Sequence, residues 1–278
     1  MRRRRWLAVA MLLAAAYAGV TQAAERVVTL APHLAELVCA VNACRQLVGV
    51  SAHTDAPAQA ATLPQIGSAY AVNLEAVLAL QPTRVLAWGG GTPPAAIARL
   101  RQLGLKVEVV SIDDLDGIAE VLQSLGDELG HAEEGDAAAG LFRDRLAALR
   151  ARYQDRPRLR AFYQIESAPA YTINGGSPIS AALDLCGADN VFASLPGLSS
   201  VVSSEAVLAA DPDVVVYAQD EDRRGLDAYW RKLASARAAD PSRQVVVDAR
   251  LLTRAAPGVL DGIAGLCEGL DRVRRDAR

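Results

Sequence analysis

Three histidines and four cysteines are all that 278 residues contain, and aromatics make up only 5%. So few histidines exclude a His-rich metal-trafficking tract, and so few cysteines exclude a disulfide-dense small scaffold. No Cys-x-x-Cys occurs, which removes a zinc knuckle and a thioredoxin-type redox site. No Gly-x-Ser-x-Gly elbow occurs either. Gly89-Gly-Gly91 follows a strand pattern but lacks the Gly-x-Gly-x-x-Gly spacing of a dinucleotide site. Basic excess is missing too. The net charge is −3, so no phosphate-binding face is available for nucleic acid.

Hydrophobic residues make up 51% and charged residues 22%, enough for a globular core. The length allows one large domain or two medium ones. The first 23 residues read as an export signal. Arg2, Arg3, Arg4 and Arg5 are followed by an uncharged apolar run, Trp6 to Val20, and by Thr21-Gln22-Ala23 as a cleavage region. The run is short for a membrane span, which needs about 20 residues. An uncleaved N-terminal anchor is the alternative. No lipobox cysteine follows. The mature chain is expected outside the inner membrane, in the periplasm, where disulfides persist. Cys39 and Cys44 are five apart, and Cys186 and Cys267 lie far apart in apolar helical settings. One local pair, Cys39–Cys44, and one long-range pair, Cys186–Cys267, is the expected arrangement. Four buried thiols are the alternative.

Strand and helix patterns alternate from Arg26 onward, which implies βαβ units and mostly parallel sheets. From about Glu133 to Tyr153 the pattern becomes one long charged helix. Its apolar stripe is expected at Ala137, Leu141, Leu146, Leu149 and Tyr153. The alternation then resumes. The expected division is residues 24–130 as a first lobe, 131–156 as a linking helix and 157–278 as a second lobe. One repeat supports it. Asn73 to Val85 aligns without gaps on Ser203 to Val215, with identities at Glu75/Glu205, Ala76/Ala206, Val77/Val207, Leu78/Leu208, Ala79/Ala209, Pro82/Pro212 and Val85/Val215. Common helix–turn–strand grammar explains the apolar matches. A first-turn Glu also complements a helix dipole.

Several landmarks follow this organisation in order. They are Val28-Thr-Leu-Ala-Pro32 with Glu36, Val48-Gly-Val-Ser51 with Asp55 and Pro57, Asn73-Leu-Glu75, and Ala87-Trp88-Gly-Gly90. Further on come Cys186-Gly187 with Asn190, Val202-Ser203 with Glu205, Tyr229-Trp230, and Arg254-Ala-x-Pro257. Together they resemble the helical-backbone (class III) periplasmic binding proteins of ABC importers, which serve cobalamin, haem and iron-siderophore uptake. Within that group the chain is most similar to the cobalamin branch.

The resemblance implies an α/β fold of two Rossmann-like lobes joined by one long backbone helix. It implies a monomer with no enzymatic activity and no resident cofactor or metal. Its ligand would be a transported corrinoid held between the lobes, and its partner an ABC importer permease dimer with its ATPase. Haem or an iron-siderophore is the alternative cargo, and a cell-envelope enzyme on a similar scaffold a further alternative.

By resemblance, Trp88 matches a cleft tryptophan, Tyr171 a cleft phenylalanine and Arg254 a cleft arginine, while His53 takes the place of a cleft tyrosine. Trp88 also fits a core aromatic at a strand end, and His53 a surface-loop residue. Ala69 stands where the family has another tryptophan, and Tyr70 beside it is the substitute. Ser199 aligns with a second-lobe tryptophan, and Arg250-Leu251 with an Asp-Trp pair. Glu75 and Glu205 match two glutamates that dock on permease arginines. His33, His53 and Glu36 are the one grouping in a lobe with metal-ligand chemistry, and it is sparse for that purpose.

Overall fold

The computed structural model describes residues 25–276 apart from Leu198 and Asp220. The export signal expected over residues 1–23 lies outside the described residues. Among those described, no helix is long and apolar enough to cross a membrane.

Short apolar runs seed the first sheet. Strands β1 (Val27–Thr29), β2 (Leu47–Gly49), β3 (Arg84–Trp88) and β4 (Val107–Val110) assemble in the order β2-β1-β3-β4, all parallel. The central strands are buried except at Trp88, the last residue of β3, as expected for a parallel sheet covered on both faces. Helices α1 (Pro32–Ala40), α2 (Ala58–Ala61), α3 (Leu74–Ala79) and α4 (Pro94–Gln102) provide the crossovers, and α5 (Leu115–Leu129) follows the last strand.

Gly130 ends α5 in the left-handed conformation, φ 78°, where a side chain would be strained. After it comes α6 (Ala132–Tyr153), whose 22 residues span about 33 Å. The buried face of α6 is Gly135, Ala139, Phe142, Leu146 and Tyr153. This corrects the expected stripe: Leu141 is 64% exposed and Ala137 is exposed as well. Two glycines set the face. A Cβ on Gly126 of α5 would lie 2.7 Å from the Gly135 Cα, so the two helices meet where neither carries a side chain.

The second sheet repeats the first. Strands β5 (Leu159–Gln164), β8 (Ala188–Asn190), β10 (Val214–Ala218) and β11 (Gln244–Val247) run parallel in the order β11-β10-β5-β8. With β1 matched to β5 and β3 to β10, both lobes have one topology. Helices α7 (Pro178–Leu185), α8 (Ser204–Ala210), α9 (Arg223–Lys232), α10 (Ala249–Thr253) and α11 (Val259–Asp276) accompany it. Helix α9 starts at Arg223 because the Asp222 carboxylate accepts from the Arg224 and Gly225 amides and caps it there. The sequence reading also lacked a ribbon. β6 (Glu166–Ser167), β7 (Ala170–Ile173) and β9 (Ser199–Val201) form a small antiparallel sheet inserted in the second lobe.

The sequence repeat is a structural one. Asn73 caps α3 by accepting from the Ala76 amide at 3.0 Å, and Ser203 caps α8 by accepting from the Ala206 amide at 3.2 Å. Gln81 and Asp211 both turn left-handed after their helices, at φ 46° and 39°. The Arg26 guanidinium donates to the Leu80 carbonyl and that of Arg160 to the Ala210 carbonyl, closing both helix C-termini alike.

Cys39 is bonded to Cys44, and Cys186 to Cys267 across a separation of 81 residues. The second bond ties α11 to the end of α7 inside the core.

Candidate functional site

Strand β3 delivers Trp88 at its end, half-buried, with its amide donating to Thr92 Oγ1 at 3.0 Å. Two rings stand against it. His33 makes an edge contact at 5.3 Å between ring centres, and Tyr70 another at 6.2 Å. Tyr70 is 69% exposed, a large aromatic surface open to solvent at the strand ends. Pro32 opens α1 and places His33 in its first turn, 6% exposed. Burial, assisted by the nearby positive charge of Arg254, lowers the His33 pKa to about 4, so the imidazole is neutral at pH 7.

Arg254, just past α10, reaches from the second lobe to the first. It donates to Glu36 Oε1 at 2.9 Å, to Asp55 Oδ1 at 2.5 Å and to the His53 carbonyl at 3.0 Å. Arg250 holds the other Asp55 oxygen at 3.1 Å. Burial pushes the Glu36 carboxyl above the usual range, against the opposing charge and hydrogen bond of Arg254. Asp55 goes the other way. Partial burial would raise it, but the hydrogen bond and charge of Arg254, with Arg250, hold it lower.

Between the lobes lies a cavity of about 250 Å³, lined from the first lobe by Ile112, Asp114 and Leu115 and from the second by Ser177, Leu252 and Arg254. A second cavity of about 490 Å³ opens on the second lobe beside the ribbon, lined by Tyr163, Glu166, Ile173, Ser199, Ala218 and Thr253. Tyr171 pairs with Glu166 and stands two residues from Ile173, so it shares the ribbon face that borders this cavity. A larger hollow of about 750 Å³ is lined by second-lobe residues alone, Trp230 and Arg237 among them, and takes no residue from the first lobe.

The expected cleft residues are therefore distributed in three groups. Trp88 and Tyr70 come together. His53 and Arg254 meet through a backbone carbonyl; the His53 side chain is exposed, in a left-handed turn at φ 65°. Tyr171 stands apart on the ribbon. Glu75 and Glu205 are both exposed, one in the first turn of α3 and one in that of α8. The Ser203 hydroxyl and the backbone amide at Glu205 lower the pKa of Glu205, first the amide and then the hydroxyl.

Sequence reasoning placed Arg254 toward a ligand and did not foresee its carboxylate partners. Asp55 was visible only as a landmark without a role, and Glu36 as a landmark and a sparse metal-ligand candidate. His33 was weighed only as a metal ligand, and among the described residues no group of three His, Cys, Asp or Glu could hold a metal ion.

Comparison with known proteins agrees with this architecture. The family model described as periplasmic binding protein matches residues 27–228. The vitamin B12-binding protein of Vibrio cholerae serotype O1 is 34% identical over 245 residues, 88% of each chain. The crystal structure of the periplasmic vitamin B12 binding protein BtuF of Vibrio cholerae superposes with a TM-score of 0.82 and 32% identity, covering 90% of this chain and 98% of that one. A periplasmic haem-binding protein from Pseudomonas aeruginosa gives a TM-score of 0.76 at 30% identity, over 87% of this chain and 91% of the other.

Proposed function

This chain belongs to the periplasmic binding protein family, and from that premise we propose that it captures cobalamin or a closely related corrinoid between its lobes and delivers it to an ABC importer. Retention of a ligand, not turnover, is the activity. The observation that carries the reading is the likeness to the Vibrio cholerae vitamin B12-binding protein, even along 88% of both chains. The export signal at residues 1–23 takes the protein to the periplasm. Residues 24–130 and 157–278 act as the two lobes, with 131–156 as the connecting helix, and the protein works as a monomer.

Cargo contact comes from Trp88, Tyr70 and Tyr171 as apolar walls, with Arg254 and His53 at the edge. Burying aromatic surface supplies affinity at roughly 25 cal/mol per Å² before ordering costs. Haem is the second reading, favoured by the 30% identity to the Pseudomonas aeruginosa haem-binding protein. Titration with cyanocobalamin and with haem, followed by calorimetry and visible absorption, separates the two. Tight binding of cyanocobalamin and weak binding of haem is the expected result; the reverse order reassigns the cargo, and no corrinoid binding removes the proposal.

The partner is a permease dimer with its ATPase. Glu75 and Glu205 occupy matched positions, one per lobe, and can meet one basic pocket in each permease subunit. Exposed ion pairs are worth about 0–1 kcal/mol, whereas truncating a pair desolvated at an interface costs about 2–5 kcal/mol. The double substitution Glu75→Gln, Glu205→Gln should leave folding and cargo affinity intact while abolishing complex formation with the permease. Wild-type docking by the double variant would assign both residues to helix capping alone.

A further inference from the structure

The Arg254 cluster joins chain segments about 200 residues apart, and its members are not equally accessible. The Arg254 and Glu36 side chains are 16% and 14% exposed, while Asp55 is 45% exposed. Glu36 is presented by α1, whose neighbouring Leu34, Ala35, Leu37 and Val38 are fully buried. Its carboxylate therefore issues from a rigid element. It also approaches the second-lobe backbone: a Cβ on Gly258 would lie 4.0 Å from Glu36 Oε2. Asp55 sits on a loop and divides its oxygens between Arg254 and Arg250.

We propose that Glu36 is the positioning residue of an inter-lobe clasp: it fixes the Arg254 guanidinium and thereby the angle between the lobes of the ligand-free protein, while Asp55 is the exchangeable partner. Both contacts are charge-assisted hydrogen bonds, but only the Glu36 contact is shielded from water, and shielding is what makes an ion pair hold. A polar group arriving at Arg254 can displace exposed Asp55 without opening the clasp. It cannot displace Glu36 without leaving that carboxylate buried and unpaired. The charged and titratable groups facing the clasp are neutral His33 on α1, His53 and Asp55 on the first-lobe loop, Asp113 and Asp114 across the inter-lobe cavity, and Asp248 and Arg250 at the start of α10. Glu36 takes its proton at higher pH than an ordinary Glu and Asp55 at lower pH than an ordinary Asp. The clasp thus loosens on acidification through the Glu36 transition first.

The test measures the inter-lobe distance distribution of the ligand-free mature protein, so it stands apart from the identity of the cargo. Ketone-bearing residues at exposed Gln102 and Lys232, one per lobe, accept spin labels without disturbing the disulfides, and pulsed electron resonance reads the distance. The wild type should give a narrow distribution at pH 7 that broadens as the pH falls toward 4. Glu36→Gln should be broad already at pH 7 and flat over that range. Asp55→Asn should stay narrow at pH 7 and broaden with the wild type. Circular dichroism verifies folding of each variant. Should Glu36→Gln fail to fold, an acid transition retained in both Asp55→Asn and His33→Gln assigns it to Glu36, and its loss in His33→Gln overturns the assignment. A wild-type distribution in Glu36→Gln, a wild-type width unchanged between pH 7 and 4, or a broad Asp55→Asn at pH 7 would overturn the assignment.

Discussion

The two lobes share one strand order, one helix-capping scheme and one pair of left-handed turns, yet they diverge where each does something the other does not. At the start of β3 the first lobe buries Arg84, which is paired with Glu25, Glu108 and Glu128. The equivalent of Arg84 on β10 is Val214, and the equivalent of its cross-strand partner Glu108 is Val245; both are buried and apolar. At the far end of the same strand the order reverses. The first lobe carries Trp88 where the second has Ala218. The second lobe adds the β6-β7-β9 ribbon, and the first supplies α1 with His33 and Glu36. A duplicated frame thus tolerates opposite chemistry at equivalent positions, because parallel strands fix the backbone and leave the side chains free. The aromatic wall belongs to one lobe and the ribbon wall to the other.

Four changes break or sharpen this comparison. The lobes are stapled differently, and the larger effect belongs to the second. Cys186→Ala with Cys267→Ala should lower unfolding free energy by about 4 kcal/mol, against about 2 kcal/mol for Cys39→Ala with Cys44→Ala, since the longer closed loop loses more entropy. Denaturant titration measures both.

Next in size is the pH response of His33, which has no counterpart in the second lobe. Its folded pKa of about 4 lies below the unfolded 6.5. The neutral ring therefore adds stability that is fully present above pH 6.5 and is lost as pH falls toward 4. The drop should be about 3 kcal/mol, and His33→Gln should flatten it.

Arg84→Val copies the second lobe on one side only and leaves the part-exposed Glu25, Glu108 and Glu128 carboxylates without their shared partner, at a cost of about 2 kcal/mol. Adding Glu108→Val completes the copy and should restore much of the loss, as chemical denaturation would show. A double variant as unstable as the single one would mean that Glu25 and Glu128 dictate the cost.

Smallest of the four, Trp88→Ala gives the first lobe the residue of the second. Calorimetry should show cyanocobalamin affinity falling about tenfold, or about 1.4 kcal/mol, with circular dichroism showing the fold retained. Unchanged affinity would take Trp88 out of the site.

Much of this frame was legible in the chain. The gapless match of Asn73–Val85 on Ser203–Val215 coincides with α3-β3 on α8-β10, cap residue for cap residue. The equivalence of Arg26 with Arg160 was not legible. It falls at an offset of 134 residues instead of 130, because the connections between matched strands differ in length. The clasp was hidden for another reason: an ion pair between residues 218 apart leaves no local pattern. The buried face of α6 was misread because its first member is a glycine, which a count of apolar side chains passes over. Within the site, Trp88 and Tyr70 were reached through the family resemblance, Trp88 as a matching tryptophan and Tyr70 as the substitute for one missing at Ala69. The position of His33 against Trp88 depends on how α1 packs over β3, which periodicity does not report.

The glycine-on-glycine crossing of α5 and α6 has a mechanical consequence. With backbone on backbone there is no side-chain cushion to deform, so the long helix has a hard fulcrum near one end, while the exposed Arg150–Asp116 ion pair ties its other end to the start of α5. A rod of about 33 Å magnifies small rotations: a tilt of ~5° at Gly135 displaces its far end by ~2 Å. Gly135→Ala would act as a shim under the lever's fulcrum. It would shift the tip at Tyr153, and with it the second lobe, without touching a single residue of the cleft.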